Sequence, residues 1–509
     1  MMVNTGYYLN ILNYIVVMPV QRNKYYDQFD YSWAITSFEE WNTLESTNEQ
    51  YPRLKNLREM LVQLLFMSVR DADLSEKWKL WIQCVMNTYS MKHMLSYGYA
   101  SIAWIRDQSF GKGERQLAYK QLWAFYEALN ETYPTEALQL IQFMIVRWTG
   151  DVTNRYGSWI DARDMCALIY ERTQNRRHPA IVQIIEYMIR VMPSNKTTKW
   201  FPREHTSPVY DTFVEEWYRH HGYPVCDLRT LPKSKQTHYR RRVRKEVQQL
   251  RTEHADYLKE HPISDKIQVA VPSWYTFPGH IVKKVRHFLL YPHRFSGVNP
   301  INQMNEINDQ WGELKKINIE NHKAYIDVSE HMTEDQLDHA IGLALVYTNH
   351  VNSIIVVGDV HEVVNLYGTI YEKIVHLLSV VHRLRGRQCN MYNAIASYTG
   401  TSILFSTFQY PLDELKLRSP QPVYDQLVTL TNPEQKFIFW NLSNDSSFPV
   451  NSGCAKCLMV SGFSLHELHM PSIVMGVELS QVCMSYSHVL MRLHSYRYLG
   501  FVNFAISLF

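Results

Sequence analysis

Cysteine, net charge and long apolar runs are all scarce in this chain. It has seven cysteines in 509 residues, odd in number and irregularly spaced. That pattern does not make a disulfide framework and fits a reducing, intracellular setting. The 52 basic residues are nearly cancelled by 49 acidic ones, leaving a net charge of +3. Bulk charge therefore does not announce a nucleic-acid binder, and any basic footprint has to be local. No apolar stretch reaches the roughly 18–20 residues that a membrane-spanning helix needs. The stretch from Ile11 to Val20 is apolar, but no basic region precedes it and no small-x-small site follows, which argues against a signal peptide. The closing run from Tyr498 to Phe509 is apolar and too short to span. A soluble, cytoplasmic protein without membrane insertion is expected.

What the chain does have is bulk. Hydrophobic residues make up 46% and charged residues 20%, which excludes a wholly disordered chain. Its length calls for two to four folding units at about 100–200 residues each. The 34 Tyr, 20 Phe and 13 Trp favour large packed interfaces.

From Tyr51 to Met192 the hydrophobic period is helical. Leu57, Met60, Leu61, Leu64 and Leu65 share one face. Similar stripes run through Trp78 to Tyr89, Met91 to Ile105, Leu117 to Leu129, Ala137 to Trp148, Asp161 to Tyr170 and Ile181 to Met192. Short Gly- or Pro-containing breaks between them predict stacked antiparallel hairpins without a fixed-period repeat. Prolines then break residues 193–319 into an irregular helical connector. Beyond it the period changes. Short apolar strands are predicted at Ala324 to Val328, Ser353 to Val357, Ser402 to Phe405, Phe437 to Trp440 and Leu458 to Val460. Thr333 and Gln336 offer a capping box for a helix through Tyr347, and a second helix is expected from about Val363 to Leu384. Alternating strands and helices mean a mostly parallel, doubly wound sheet. The fold class expected is thus α plus α/β: residues 1–50 an N-terminal extension, 51–319 a helical array that includes the connector, and 320–509 an α/β domain with an apolar tail.

Three local signals bear on chemistry. Gly111-Lys112-Gly113-Glu114-Arg115 lacks phosphate-loop spacing and sits between helices, so a nucleotide site is disfavoured. As a helix-entry turn it would turn Lys112 and Arg115 toward an RNA phosphate, or serve as a turn alone. Cys454-x-x-Cys457 with His466-x-x-His469 resembles a zinc set, but a strand through Leu458 to Val460 would splay those ligands, so core cysteines are favoured. The strongest signal is basic. Lys233, Lys235, Arg240, Arg241, Arg242, Arg244 and Lys245 include no acidic residue among them, with His238 and Tyr239 interleaved. On a helix these charges could track a phosphate backbone while Tyr239 stacks on a base. The plainer alternative is a solvated face with internal ion pairs. No nucleophile–base pair or paired catalytic carboxylate stands out, so the reading is non-enzymatic.

Several segments recur in a fixed order: Ile105-Arg106-Asp107, Gly111 to Arg115, Trp159-Ile160-Asp161, Lys199 to Glu204, Lys235 to Arg240, Pro278 to Val282, Asp327-Val328-Ser329, Phe439 to Leu442 and Val460 to Ser464. Together they resemble the TROVE module joined to a von Willebrand A-like domain, as in the Ro autoantigen. They are more similar still to TROVE–von Willebrand A proteins of plants, bacteria and large DNA viruses. The resemblance implies a HEAT-like helical arc closed by the α/β domain and a role in RNA binding within a ribonucleoprotein. It adds Lys199 and Arg203 to an RNA-contact set of Lys112, Arg115, Lys235, His238, Tyr239, Arg240, Arg241, Arg244 and Lys245. It also leaves open a protein–protein scaffold, with partners on the α/β domain and a virion-associated location. The family's metal-ion-dependent adhesion site survives only as Asp327, Ser329 and Thr407. His331 stands where a second Ser is usual, and Met391 falls where an oxygen ligand belongs. A hard cation needs oxygen donors, so a vestigial loop, without metal or other cofactor, is expected.

Overall fold

The computed structural model describes residues 51–509, apart from short breaks and the longer stretches 261–276, 409–434, 444–456 and 468–488. Residues 52–509 form one compact unit. The chain is α plus α/β: a helical array followed by a six-stranded, mostly parallel sheet with helices packed on it.

The array consists of α1 (Tyr51–Met67), α2 (Ser75–Met86), α3 (Met91–Arg106), α4 (Arg115–Asn130), α5 (Pro134–Gly150), α6 (Trp159–Thr173), α7 (Pro179–Val191), α8 (Tyr210–His220) and α9 (Lys233–Glu260). Pro134 and Pro179 stand at the first positions of α5 and α7, where their missing N–H removes no helical bond. The predicted stripes face inward, and Trp78, Trp81, Tyr99, Phe125 and Trp148 are fully buried among them. A buried ion pair fastens α3 to α6. Arg106 makes two 2.8 Å bonds to Asp161, whose carboxylate also accepts from the Tyr119 hydroxyl and completes the capping box of α6 with Ser158.

The α/β part comprises α10 (Gly279–Leu290), α11 (Pro300–Gly312), β1 (His322–Asp327), α12 (Glu334–Tyr347), β2 (Ser353–Val357), β3 (His361–Asn365), α13 (Ile370–Leu384), α14 (Met391–Ile395), β4 (Thr401–Ser406), β5 (Lys436–Asn441), β6 (Cys457–Ser461) and a final helix, α15 (Tyr496–Leu508). Strand order is β3-β2-β1-β4-β5-β6, with β3 antiparallel to β2 and the other neighbours parallel. Strands β4 to β6 are buried along almost their whole length, the signature of a sheet covered on both faces. The capping box of α12 forms as the sequence predicts: Thr333 N–H donates to Gln336 (2.8 Å) and Gln336 N–H to Thr333 (3.3 Å).

Two elements depart from the sequence reading. The helix expected from Val363 begins only at Ile370. The β-branched pair Val363-Val364 instead forms edge strand β3, and Gly368, at φ 84°, turns the chain into α13. The apolar tail is no appendage of the sheet either. Helix α15 packs on α3 and α5, where Phe504 stacks on Phe143 at 3.8 Å and Phe501 meets Phe143 and Tyr156 edge-on. Helix α10, inside the predicted connector, packs on α12. A Cβ on Gly342 would lie 2.5 Å from the Gly279 nitrogen, so the two backbones touch. Among the described residues, no helix is long and apolar enough to cross a membrane.

Candidate functional site

In an open α/β sheet, ligands gather where strand order reverses, here between the C-terminal ends of β1 and β4. Asp327 ends β1 and Ser406 ends β4. The Asp327 carboxylate accepts from Ser329 N–H (2.8 Å) and from the Ser406 hydroxyl (2.6 Å), and Ser406 Oγ in turn accepts from Phe408 N–H. Asp327 is 1% exposed, and Ser329, Ser406 and Thr407 are equally buried. Thr407 Oγ1 has no hydrogen-bond partner among the described residues. Phe408 packs on Phe439 and on Phe66 of α1, whose backbone carbonyl accepts from Asn441 at the end of β5. Met391 is buried in α14. One engaged carboxylate and three hydroxyls, shut from water, do not fit a dication that takes six oxygens and retains several waters. The end of α1 closes this edge.

The ordered sequence motifs converge on a neighbouring joint between array and sheet. Lys112, expected as an RNA contact, is 1% exposed. Its ammonium donates to the carbonyls of Leu65 (2.8 Å) and Ser68 (2.9 Å) at the end of α1 and to Ser461 Oγ (2.5 Å) at the end of β6. The last helical carbonyls lack intrahelical partners, and a cation suits that end of the dipole, so the residue serves the fold. Burial pulls its pKa down to about 8, against the charges of Glu467 and Glu114. The Ser464 hydroxyl donates to the Gly111 carbonyl. Arg70 pairs with Glu114 through two 3.2 Å bonds and lies over Phe277 and Phe463. His339 of α12 stacks on Phe463 at 4.3 Å, both of its ring nitrogens lack hydrogen-bond partners among the described residues, and burial drives its pKa down to about 3. Asp107 takes Arg497 and the Tyr498 hydroxyl from α15. Motif residues 105–115, 277–280 and 461–464 are thus brought together as a structural seam.

The basic stretch lies on α9, and its charges divide by what faces them. Val243 and Val247 are buried against the array, with Tyr239 half-buried beside them. Arg240 is not a phosphate ligand here: it makes two bonds to Asp211 of α8, at 2.8 and 2.9 Å. Arg244 lies 3.3 Å from Glu204. Tyr239 packs on Tyr218 at 4.6 Å, so its ring is committed to the protein. The opposite side of the helix carries His238, Arg241 and Lys245 at i, i+3, i+7 spacing, all exposed, with Lys235 exposed nearby. Elsewhere, Arg115 is half-exposed with Asp164 at 4.0 Å, and Arg203 is exposed on the turn before α8. Lys199 lies outside the described residues, as do Cys454, His466 and His469 of the suspected zinc set; Cys457 is buried in β6.

Sequence reasoning missed the aromatic corner where α8 meets α9. Tyr223, 40% exposed, lies 5.4 Å from Tyr218. The Arg242 guanidinium sits 4.6 Å from the Tyr223 ring centroid, donates to its hydroxyl (2.7 Å) and is itself anchored to Glu246 (2.9 Å). Tyr223 is ten residues before the basic run and ends no motif, so only the corner brings it to Arg242. The chain matches no protein-family model, and no curated protein matches it.

Proposed function

We propose that this chain is a non-catalytic RNA-binding component of a ribonucleoprotein, of the TROVE plus von Willebrand A-like type that its motif order resembles. The observation that carries the reading is the exposed row of cations on α9. Among the described residues, Lys235, Arg241 and Lys245 make no ion pair, while the arginines beside them are neutralised by Asp211, Glu204 and Glu246. Cations without internal partners are available to displace counterions from a phosphate backbone. The closed edge at Asp327 supports a role without a metal ion. A scaffold role is the second reading. It is favoured by exposed Leu289 and Leu290 at the end of α10 and Ile301 at the start of α11, apolar side chains of a kind that protein contacts cover. Purification of the native protein separates the two. Nuclease-sensitive absorbance at the nucleic-acid maximum, lost when Lys235, Arg241 and Lys245 are changed to Ala, is expected. Co-purifying protein with no nucleic acid would favour the scaffold.

A further inference from the structure

The α8–α9 corner combines what a flexible polynucleotide needs and a duplex cannot use. Tyr223, 40% exposed, is already held in place: Arg242 lies over one face of its ring and donates to its hydroxyl, and Tyr218 supports it, with Tyr239 behind. A ring so fixed loses little rotamer freedom when something stacks on it. His238 adds an exposed imidazole 6.3 Å from Tyr239. The unpaired cations lie on the same helix, with Arg241 and Lys245 one turn, about 6 Å, apart along its axis. We propose that this corner is a base-stacking platform for single-stranded polynucleotide, with Tyr223 taking a base face, Arg242 fixing the ring, and Lys235, Arg241 and Lys245 taking the phosphates. The proposal rests on the RNA reading above and adds to it the strandedness of the ligand and the residue that selects it. Bases in a duplex are stacked on one another and present no face to Tyr223, whereas a single strand offers one at every nucleotide. An acidic peptide would satisfy the cations but has no use for the ring.

The test is fluorescence anisotropy with a labelled adenylate dodecamer, alone and annealed to its uridylate complement. Tyr223→Ala is expected to weaken the single strand about 5- to 150-fold, the span of one stacking contact, with the salt slope unchanged. Tyr223→Phe and Tyr223→Trp, which keep a ring, should retain binding, and the duplex should bind more weakly and ignore all three changes. Tyr223→Leu carries the same expectation as Tyr223→Ala should the latter lose its thermal transition. If Tyr223→Ala changes nothing while the Lys235/Arg241/Lys245 variant abolishes binding, the platform is wrong and the RNA reading stands. Equal losses for single strand and duplex would also overturn the platform. If the wild-type protein binds neither probe, or an acidic dodecapeptide displaces the oligonucleotide at equal concentration, both readings fall.

Discussion

Lys112 and Arg241 both lie in segments that look like nucleic-acid contacts in sequence, and they end in opposite environments. Lys112 is sealed in the seam between array and sheet, donating to three oxygens. Arg241 is exposed, with no acidic partner among the described residues. The difference is what each side chain meets. At the seam, charges face the ends of α1 and β6 and complete bonds that the backbone leaves open. On α9 the inward flank meets Asp211 and Glu204, and the outward row meets no acidic group among the described residues. Basic residues at the seam and on α9 therefore sort into those that hold the chain together and those available to a ligand, and the partner each one meets decides which: Arg244 is exposed and still paired with Glu204.

The sharpest way to break this division is to remove a buried partner. Asp161→Ala leaves the Arg106 guanidinium buried without its carboxylate and uncaps α6. A loss of about 3–5 kcal/mol is expected, read as a lower midpoint in urea unfolding. Lys112→Met keeps the bulk and removes the ammonium, taking from the Ser68 carbonyl the bond that Lys112 supplies, while the Leu65 carbonyl keeps the Ser461 hydroxyl. About 2–4 kcal/mol should be lost, with no direct effect on RNA contact once folding is restored by low temperature.

The seam should also respond to acid. The folded-state pKa of His339, about 3, lies below its ordinary value of 6.5. Its contribution is therefore intact above about pH 6.5 and declines as pH falls toward 3, by up to about 1.4 kcal/mol per pH unit. Asp338, pushed up to about 6 by burial, works in the opposite sense. The informative quantity is thus the wild-type loss between pH 7 and pH 5 minus that of His339→Leu. A positive difference of about 1–2 kcal/mol is expected. Addition of Mg²⁺ should do least: millimolar concentrations should leave the thermal midpoint in place, and a shift abolished by Asp327→Asn would reopen the sheet edge as a metal site.

Much of the frame is legible in the residues. Uninterrupted apolar runs such as Ser353–Val357 are strands because nothing else that short needs burial on both faces, and the helical stripes fix the array. Val363-Val364 misled because an apolar pair beside a helix reads as part of it, while the turn at Gly368 decides otherwise. The site was harder to read. Arg240 and Arg241 are indistinguishable in sequence, and only the placement of Asp211 on α8 separates them. The Tyr223–Arg242 clip and the docking of α15 on α3 depend on packing between distant segments, which a single sequence does not encode locally.

The division itself is tested by the salt dependence of RNA binding. If the outward row binds phosphate, changing Lys235, Arg241 and Lys245 together to Ala should flatten the log–log slope for a single-stranded RNA by about two units, at about 0.7 per lost contact, and leave stability nearly untouched. Arg240→Ala should do the reverse, costing about 0.5–1 kcal/mol of stability and leaving the slope in place. A triple variant with the wild-type slope, or an Arg240→Ala protein whose slope falls as far, would contradict the account.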